Sequence, residues 1–477
     1  MPVKSHRIDP VIVRDYDVRG VFGRTLRSED AYAVGRAFAD DLWERGGTRP
    51  LVCLGYDGRH SSPLLETAMA DGLMAGGAEV LRLGLGPTPM LYHACAAHGA
   101  AGGVMVTGSH NPATHNGFKL IRHGCALSAA DLLALAERAG RGWDGAGPPV
   151  EHGPLGQSRF ASGRDDYANS LIACGLPDCA ERYAAGLSVV WDPGNGAVAA
   201  ILPMVLQALP GRHRIINAVV DGDFPDHHPD PAEDANLRSL IDAVGRDRAD
   251  LGLAFDGDGD RLGVVDERGR VVRADQVLAI LASGVLAVRP GATVVADVKS
   301  SESLFEHVRA LGGNPAMGPS GRGHIQRMMQ ERGAVLGGEM SGHLFFADRH
   351  PGYDDAIYAA LRLLQALAAR PSVPLSALVD ALPQRVSTPE IRIPCDDSRK
   401  DRIVALVGGA LAEDGVLVDR TDGLRVSIAD GWWLLRSSKT QGVLSLRCEA
   451  ADMPGLSRVK GHLRHYLSAL GITVPWR

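Results

Sequence analysis

The alternation of apolar and polar positions repeats along the first three quarters of the chain. A short apolar run that ends in aspartate and leads into a glycine- or serine-rich loop occurs in LVCLGYDGRHSS, LSVVWDPGNGAV and ATVVADVKSSES, at Asp57, Asp192 and Asp297. Farther along each copy, a second apolar run opens into a polar loop, in VMVTGSHNP (104–112), LAFDGDGDR (253–261) and LGGEMSGH (336–343). Strands that alternate with helical patterns indicate α/β units, whose ligands bind at strand ends. We therefore predict three related α/β domains, each offering one loop.

The last quarter of the chain has a different pattern. Beyond residue 385, the short runs GVLVDR, LRVSIAD, GWWLLR and GVLSLRCEA predict antiparallel strands with turns at Asp422-Gly423 and Asp430-Gly431, and SRVKGHLRHYLSAL predicts a final helix. The predicted fold class is α/β, with three related α/β domains with mixed sheets plus a C-terminal α+β domain. We place these domains at 1–165, 166–270, 271–384 and 385–477. Within the first, SEDAYAVGRAFADDLWERG (28–46) predicts a helix with Ser28 as its N-cap.

Composition and charge narrow the class of protein. The 477 residues suffice for several domains, and a net charge of −6 argues against nucleic acid or a membrane surface as the main partner. The seven cysteines are scattered and form no C-x-x-C, which excludes a disulfide scaffold or zinc ribbon and fits a reducing compartment. The N-terminal MPVKSHRIDP lacks an apolar signal region, and the apolar stretch 277–288 is too short to span a bilayer. We expect a soluble, cytoplasmic protein with no nucleic-acid or membrane partner.

Three carboxylates stand at alternate positions in DGDGDR, on a loop that we expect to be exposed. Asp256, Asp258 and Asp260 would repel one another strongly unless a cation neutralised them, and carboxylate oxygens suit Mg²⁺ or Ca²⁺. An EF-hand loop is excluded because its sixth position, normally glycine, is Arg261 and because the flanking residues are strand-like. An aspartate-nucleophile phosphatase and a charged hairpin tip remain as alternatives to a metal site.

A serine stands at a predicted strand end in TGSHNP. Ser109 follows the strand-like run GGVMV, and His110 beside it is a candidate acid or base. An ordinary Ser-Asn-Pro turn is the alternative, whereas a hydrolase nucleophile elbow fits poorly because the second glycine of G-x-S-x-G is missing. Lys119, in NGFKL, stands out because only six of the 50 basic residues are lysine.

Two further loops have the composition of ligand sites. GGEMSGH offers Glu339, Ser341 and His343, of which the carboxylate and the hydroxyl could hold vicinal hydroxyl groups. RSSKTQG (436–442) offers a guanidinium, hydroxyls and another rare lysine, which is the composition of a phosphate clamp. A polar hairpin turn is the alternative for RSSKTQG.

Together these motifs resemble those of the α-D-phosphohexomutase superfamily, and most closely its bacterial phosphomannomutase/phosphoglucomutase branch. The match runs over nearly the whole chain, through YDVRG (16–20), GYDGR (55–59), TGSHNP, HNGFKL (115–120), DPGNG (192–196), DGDFPDHHPDP (221–231), DGDGDR, DVKSS (297–301), GEMSGH, GYDDAIYAA (352–360) and RSSKT. The resemblance implies that the four domains are arranged around a central active-site cleft.

The resemblance also implies roles for individual residues. Ser109 would be a phosphoserine whose phosphate ligates Mg²⁺ together with Asp256, Asp258 and Asp260. Charge near the phosphoserine would be stabilised by Arg261 and Arg19, with Tyr16 beside them, and protons would be transferred by His110 and Lys119. The sugar would be contacted by Lys299, His324, Glu339, Ser341 and His343. The non-reacting phosphate would be held by Arg436, Ser438 and Thr440, with Lys439 between them.

The implied reaction interconverts the 1-phosphate and 6-phosphate of mannose and glucose. It would use Mg²⁺ and a hexose 1,6-bisphosphate as intermediate and activator, with small-molecule sugar phosphates as the only partners of a monomer or weak dimer. The alternatives are a phosphoglucosamine mutase, which typically has Gln where Met340 stands, and a phosphatase-like or non-catalytic sugar-phosphate binder. The chain departs from the family pattern at Arg322, where Thr or Ser is usual, and at Lys439.

Overall fold

The computed structural model describes residues 6–141, 155–175, 186–438 and 442–476. These residues form two compact units. The first comprises the described residues of Met1–Val277 and Ser341–Ser376, and the second those of Leu278–Met340 and Ala377–Arg477. The chain thus passes from the second unit back to the first within GEMSGH, between Met340 and Ser341.

The strands and helices follow the predicted α/β order. The strands are β1 (Val18–Val21), β2 (Leu51–Tyr56), β3 (Glu79–Leu85), β4 (Gly102–Val106), β5 (His115–Arg122), β6 (Cys125–Ala126), β7 (Ser158–Phe160), β8 (Ser188–Asp192), β9 (Arg212–Ile215), β10 (Leu251–Phe255), β11 (Leu262–Asp266), β12 (Val271–Val272), β13 (Thr293–Asp297), β14 (Asn314–Gly318), β15 (Leu336–Gly338), β16 (Leu344–Phe346), β17 (Val386–Ser387), β18 (Ile391–Pro394), β19 (Leu424–Ile428), β20 (Gly431–Ser437) and β21 (Val443–Ala450). The helices are α1 (Ser28–Gly46), α2 (Ser62–Ala75), α3 (Thr88–His98), α4 (Ala129–Arg141), α5 (Gly163–Gly175), α6 (Leu202–Gln207), α7 (Arg238–Asp247), α8 (Ala274–Val288), α9 (Glu302–Ala310), α10 (Arg322–Arg332), α11 (Ala356–Ala368), α12 (Leu375–Asp380), α13 (Asp397–Glu413) and α14 (Met453–Ser468).

The threefold repetition in the sequence corresponds to a repeated strand arrangement. In each repeat the strand that ends in the aspartate or just before it is central and has a parallel neighbour on either side: β2 between β3 and β4, β8 between β9 and β10, and β13 between β14 and β15. In the first two repeats, an antiparallel strand follows, with β5 beside β4 and β11 beside β10. The predicted mixed sheets and the three related α/β repeats are confirmed.

The antiparallel sheet predicted for the last quarter is also present. Its strand order is β17-β21-β20-β19, with β18 also paired to β21, and α13 and α14 pack on it. Its core includes Trp433, Leu435 and Leu446. One predicted strand is wrong: GVLVDR follows directly on α13 and makes only an isolated bridge between Asp419 and Arg425.

The predicted helix at 28–46 is confirmed as α1, but its N-cap is not Ser28. Arg27 has the extended backbone of an N-cap, and Asp30 accepts a hydrogen bond of 2.7 Å from the Arg27 N–H. The capping interaction therefore comes from a side chain inside the first turn. Among the described helices, none combines the length and the apolar character that a membrane crossing requires.

Candidate active site

The loop that carries Ser109 is tied to the end of the neighbouring central strand. Asp57, just after β2, accepts hydrogen bonds at Oδ2 from Thr107 Oγ1 (2.7 Å) and Gly108 N (3.2 Å), and Thr107 Oγ1 accepts one from Ser109 N (2.7 Å). These bonds hold Ser109 at φ +47°, in the left-handed region that a non-glycine residue adopts only when its surroundings impose it.

The Ser109 hydroxyl points at the acidic loop of the second repeat. Its Oγ donates to Asp256 Oδ2 at 2.8 Å and lies 3.3 Å from His110 Nδ1. The loops after β4 and β10 are in close contact here, since a Cβ added to Gly257 would lie 2.5 Å from the Ser109 carbonyl oxygen. The structure therefore brings together the predicted serine and the predicted metal ligands.

The expectation that DGDGDR is exposed is wrong. Asp256, Asp258 and Asp260 are fully buried, because Gly257 lies against the Ser109 loop and Gly259 against Pro87 and Val198. Each of the three residues offers a ligand atom within 4.8 Å of the others. Three buried carboxylates at this spacing require positive charge nearby.

Lys119, on β5, supplies part of that charge. Its Nζ donates to Asp258 Oδ2 at 2.6 Å and also contacts Asp260 Oδ2. The pKa of Asp258 is lowered because Lys119, Thr88 and Arg19 outweigh the effect of burial. The pKa of Asp256 is instead raised well above its ordinary value by burial and by the charges of Asp260 and Asp258. One ammonium is thus too little for three carboxylates.

The donor set fits a hard divalent cation. The Oδ1 atoms of Asp258 and Asp260 are buried without a hydrogen-bond partner among the described residues. Oxygen atoms of this kind are the ligands that Mg²⁺ and Ca²⁺ prefer. The residues in place therefore suit a divalent metal ion, whose charge would offset that of the three carboxyl groups.

His110 is buried in cationic surroundings. Burial and the positive charges of Arg261 and Arg19 lower the pKa of His110 well below its ordinary value. The imidazole is therefore neutral near pH 7 and able to accept a proton. Arg19 is itself fixed by Asp17, whose Oδ2 accepts a hydrogen bond from Arg19 Nε at 2.9 Å.

Arg261 and His343 form a second group beside the carboxylates. Arg261 Nε donates to His343 Nε2 at 3.1 Å, which places the proton of a neutral His343 on Nδ1. That Nδ1 lies 2.9 Å from Asp354 Oδ2 and 3.6 Å from Asp260 Oδ1. His343 therefore faces protein groups in this structure, although the resemblance assigns it to the sugar. The half-buried Tyr16 follows Asp15 and precedes Asp17, the partner of Arg19.

The predicted sugar and phosphate residues of the second unit are held around Asp297. Lys299 Nζ lies 3.8 Å from Asp297 Oδ2 and 3.9 Å from Glu390 Oε2, and the N–H of Met340 donates to Asp297 Oδ1 at 3.3 Å. Glu339 accepts a 2.5 Å hydrogen bond from Gly321 N, just before α10. His324 is half-buried in the first turn of α10, and Ser341 Oγ, in the first unit, is buried with no hydrogen-bond partner in the described part of the chain.

Arg436 is connected to Asp297 through Asp422 and Ser320. Its guanidinium donates to Asp422 Oδ2 at 2.9 Å, and Asp422 raises the pKa of Arg436 against the effect of burial. Ser320 joins this pair to Asp297, because its N–H donates to Asp422 and its hydroxyl to Asp297. Ser438 is buried, whereas the predicted Lys439 and Thr440 lie outside the described residues.

Sequence reasoning missed several residues that hold these loops. Arg59 is fully buried behind the Ser109 loop, and Lys400 donates to the Ser438 carbonyl at 2.6 Å. Two signals could have indicated them. Arg59 stands two residues after Asp57, as Lys299 does after Asp297, and Lys400 is one of the six lysines.

The arrangement can support phosphoryl transfer. A hydroxyl faces a buried carboxylate cluster suited to a divalent cation, and a neutral imidazole and two arginines stand beside it. These are the components that such a transfer requires: positioning, a metal site and cationic side chains.

Four family models match the chain in consecutive stretches. Their descriptions read phosphoglucomutase/phosphomannomutase, alpha/beta/alpha domain I (residues 10–141), domain II (residues 165–269), domain III (residues 273–386) and C-terminal domain (residues 390–465).

Individual relatives are similar over almost their whole length. The chain is 40% identical over 474 residues to a phosphomannomutase/phosphoglucomutase of Pseudomonas aeruginosa, covering 99% of this chain and 98% of the relative. It is 37% identical over 458 residues to a phosphoglucomutase of Neisseria gonorrhoeae, covering 95% and 96%. A crystal structure of a phosphoglucomutase/phosphomannomutase family protein from Burkholderia thailandensis matches with a TM-score of 0.88 at 36% identity, covering 98% of this chain and 99% of that chain.

Proposed function

Because the chain belongs to the phosphoglucomutase/phosphomannomutase family, we propose that it interconverts the 1-phosphate and 6-phosphate of glucose and of mannose. A phosphoserine at position 109 and a hexose 1,6-bisphosphate would connect the two half reactions. The observation that carries this proposal is the 2.8 Å hydrogen bond from the Ser109 hydroxyl to Asp256, within the group of three buried carboxylates.

Each half reaction moves one phosphoryl group. The bond between Ser109 Oγ and phosphorus breaks as a sugar hydroxyl forms a new bond to phosphorus; that hydroxyl releases its proton, and Ser109 Oγ takes up a proton to regain its hydroxyl. His110, neutral and adjacent to Ser109, is suited to accept this proton. The reverse transfer, from the other phosphate of the bisphosphate to Ser109, restores the phosphoserine. Arg19 and Arg261 supply fixed positive charge for the transferring group.

We further propose that Asp256, Asp258 and Asp260, with the phosphate on Ser109, hold Mg²⁺. The ion when bound would neutralise charge on the phosphoryl oxygens. Lys119 contacts both Asp258 and Asp260, and its charge helps to lower the pKa of Asp258. The chain's own contribution is therefore a rigid set of oxygen ligands aimed at the position of the reacting serine.

The metal proposal is tested by thermal unfolding with and without MgCl₂. We expect Mg²⁺ to raise the Tm of the wild type and to raise that of Asp258→Asn much less, because one ligand charge is lost. Because Asp258 is buried and paired with Lys119, we also expect the variant to be less stable without metal. Glu137→Gln, at an exposed carboxylate paired with Arg141, is the control and should respond to Mg²⁺ as the wild type does. An equal Mg²⁺ shift in Asp258→Asn would contradict the ligand assignment.

The remaining residues would recognise the substrate. Glu339, Ser341, Lys299 and His324 would contact the sugar, and Arg436, Ser438, Lys439 and Thr440 would hold the phosphate that does not react. Glu339 and Ser341 can hold the 3- and 4-hydroxyls, which glucose and mannose present identically. We propose that both sugars are accepted and that glucosamine phosphate is a poor substrate, since Met340 offers no acceptor to an ammonium group.

The decisive experiment compares kcat/KM for glucose 1-phosphate, mannose 1-phosphate and glucosamine 1-phosphate at equal bisphosphate activation. We expect the values for glucose 1-phosphate and mannose 1-phosphate to be similar, and the value for glucosamine 1-phosphate to be lower by about tenfold or more. A glucosamine value equal to the others would favour a phosphoglucosamine mutase. Release of inorganic phosphate without isomerisation would favour the phosphatase-like alternative.

We retain the division into domains at 1–165, 166–270, 271–384 and 385–477 as part of the proposal, supported by the three repeated strand arrangements and the separate antiparallel sheet. Location in the cytoplasm is proposed from the scattered cysteines, which suit a reducing compartment. The monomer or weak dimer stays a prediction, which light scattering on the purified protein checks.

A further inference from the structure

Arg59 is enclosed by the loop that carries Ser109. Its side chain has no exposed surface, and its five N–H groups are used completely. Nη1 donates to the carbonyl oxygens of Pro112 (2.7 Å) and His115 (3.0 Å), Nη2 to those of Ser109 (2.7 Å) and Asn111 (2.6 Å), and Nε to Asp57 Oδ2 (3.2 Å). One side chain therefore fixes the backbone on both sides of the reacting serine.

The loop is built to fit this guanidinium. A Cβ added to Gly108 would lie 2.4 Å from Arg59 Cζ, so that only glycine lets the backbone pass so close. Ser109, the next residue, has the strained φ of +47° and gives its carbonyl oxygen to Arg59. A backbone conformation of this kind persists only where surrounding bonds impose it. Arg59 and Asp57, which are bonded to each other, together supply those bonds.

A segment of the second repeat closes the other side of Arg59. The ring of Phe224 lies 5.0 Å from Arg59 Cζ, and Phe224 is itself buried at φ +51°. The same segment packs on the backbone of Arg59, because a Cβ added to Gly222 would lie 2.9 Å from Arg59 Cα. Arg59 is thus held between the backbone of the serine loop and an aromatic ring, an arrangement that favours a planar cation.

We propose that Arg59, held in place by Phe224, is the positioning residue that aims the Ser109 hydroxyl at the carboxylate cluster for phosphoryl transfer. This inference rests on the proposed function. Arg59 reaches no reacting atom directly: it acts by fixing four backbone carbonyls, and with them the direction of Ser109 Oγ. In-line phosphoryl transfer is sensitive to such placement, since a displacement of about 1 Å can reduce the rate ~100-fold.

The first test is Arg59→Lys, which keeps the charge but has three donors on a flexible stem in place of a five-donor fork. We expect kcat for glucose 1-phosphate to fall about 100-fold. KM should change little, because Arg59 contacts none of the groups assigned to substrate binding. The single-turnover transfer of phosphate from Ser109 to glucose 1-phosphate should slow by the same factor as kcat.

The matched control is Arg362→Lys. Arg362 is also buried, donates to both carboxylate oxygens of Asp348 (2.9 and 2.8 Å) and lies 4.7 Å from the ring of Phe346, but it stands outside the candidate site. Like Arg59, Arg362 is a buried arginine whose guanidinium lies over an aromatic ring. We expect Arg362→Lys to lower Tm to a similar extent and to leave kcat within about twofold of the wild type.

A second pair of variants keeps the test decisive if Arg59→Lys does not fold. Phe224→Leu keeps an apolar side chain but removes the ring over Arg59, and Phe346→Leu does the same to Arg362. We expect kcat to fall about three- to tenfold in Phe224→Leu with KM unchanged. Phe346→Leu should lower only Tm.

The outcomes separate this inference from the proposed function. A wild type that does not isomerise hexose phosphates would overturn both. With an active wild type, a kcat for Arg59→Lys or Phe224→Leu within twofold of that of its control would show that Arg59 is only structural and would overturn the inference. A rise in KM at unchanged kcat would overturn it as well, because a positioning role acts on the transfer step.

Discussion

Arg59 and Lys299 occupy the same place in two of the three repeats, two residues beyond the aspartate that follows or ends the central strand. Arg59 turns inward and gives every N–H to the serine loop and Asp57. Lys299 stays beside two carboxylates, with 11% of its side chain exposed, at 3.8 Å from Asp297 and 3.9 Å from Glu390. One position of the fold therefore serves as a loop support in one repeat and as a candidate ligand group in another.

The difference follows from the two cations. A guanidinium has five donors in a fixed plane and can satisfy several carbonyls at once, whereas an ammonium is a compact charge with three donors. In the second repeat the same position is Gly194, at φ +53°, and Asp192 instead accepts hydrogen bonds from Asn217 and His227. The aspartate at the strand end is the common element, and the residue after it decides what its loop can do.

The largest effect should come from the serine that Arg59 supports. Ser109→Ala should reduce kcat at least ~1,000-fold, because it removes the hydroxyl beside Asp256 that would take the phosphoryl group. By intact-mass spectrometry, wild-type protein purified from cells should be about 80 Da heavier than its sequence mass because of one phosphate, and the variant should lack this added mass. Ser283→Ala, on α8, is the control and should keep both. Full activity of Ser109→Ala would end the phosphoserine assignment.

The glycines of the two loops sharpen the comparison. Gly108→Ala would force Cβ against Arg59, so that we expect a loss of about 1–3 kcal/mol in the free energy of unfolding and a ~100-fold lower kcat. Gly337→Ala, in β15 just before the loop of the third repeat, would meet the Met329 sulfur at 2.5 Å, and a flexible thioether can move aside. Its kcat should fall less than about tenfold. Equal losses in both variants would mean that the two loops are equally constrained.

Lys299 should behave as a ligand group and not as a loop support. Lys299→Met keeps the apolar stem and removes the charge, and we expect kcat/KM for glucose 1-phosphate to fall about 10- to 100-fold, mainly through KM. Its Tm should fall less than that of Arg59→Lys, since within the described residues its Nζ donates to no backbone carbonyl. A larger fall in Tm for Lys299→Met than for Arg59→Lys, with KM unchanged, would contradict the assignment of Lys299 as a ligand group.

The smallest effect concerns stability in acid. Burial would raise the pKa of Glu390, but Lys299, Arg392 and the Ser445 hydroxyl lower it to about 2. A carboxyl group whose pKa is lower in the folded state than in the unfolded chain stabilises the folded state fully above its pKa in the unfolded chain, here near 4.5. This stabilisation is lost as the pH falls toward the folded-state pKa of about 2.

Glu390→Gln should therefore be less stable than the wild type by on the order of 1–3 kcal/mol at neutral pH. The difference in the free energy of unfolding should shrink as the pH falls from about 4.5 to 2. Glu137→Gln, at an exposed glutamate paired with Arg141, should change stability by less than about 0.5 kcal/mol throughout. A pH-independent difference for Glu390→Gln would show that its charge does not contribute.

Much of the architecture was predictable because it depends on local pattern. Apolar runs ending in aspartate gave β8 and β13 almost residue for residue, and the alternation after residue 385 gave β19, β20 and β21. Spacing also indicated that Ser109 and the three aspartates stand at strand ends. The failures arose where a neighbouring segment decided the outcome: GVLVDR remained a loop after α13, and Asp30, not Ser28, capped α1.

The sequence by itself determined which chemical groups the protein has and the repeated strand on which each is placed, because β-strand and helix periodicity act over a few neighbouring residues. Only the tertiary structure decided that DGDGDR is buried, that Lys119 faces Asp258 and Asp260, and that Arg59 closes on the serine loop. The Arg59 and Lys119 contacts join residues that are 50 to 141 positions apart in the chain. They depend on how separate loops pack, and loop packing fixes burial, charge pairing and the direction of a hydroxyl in ways that no local pattern records.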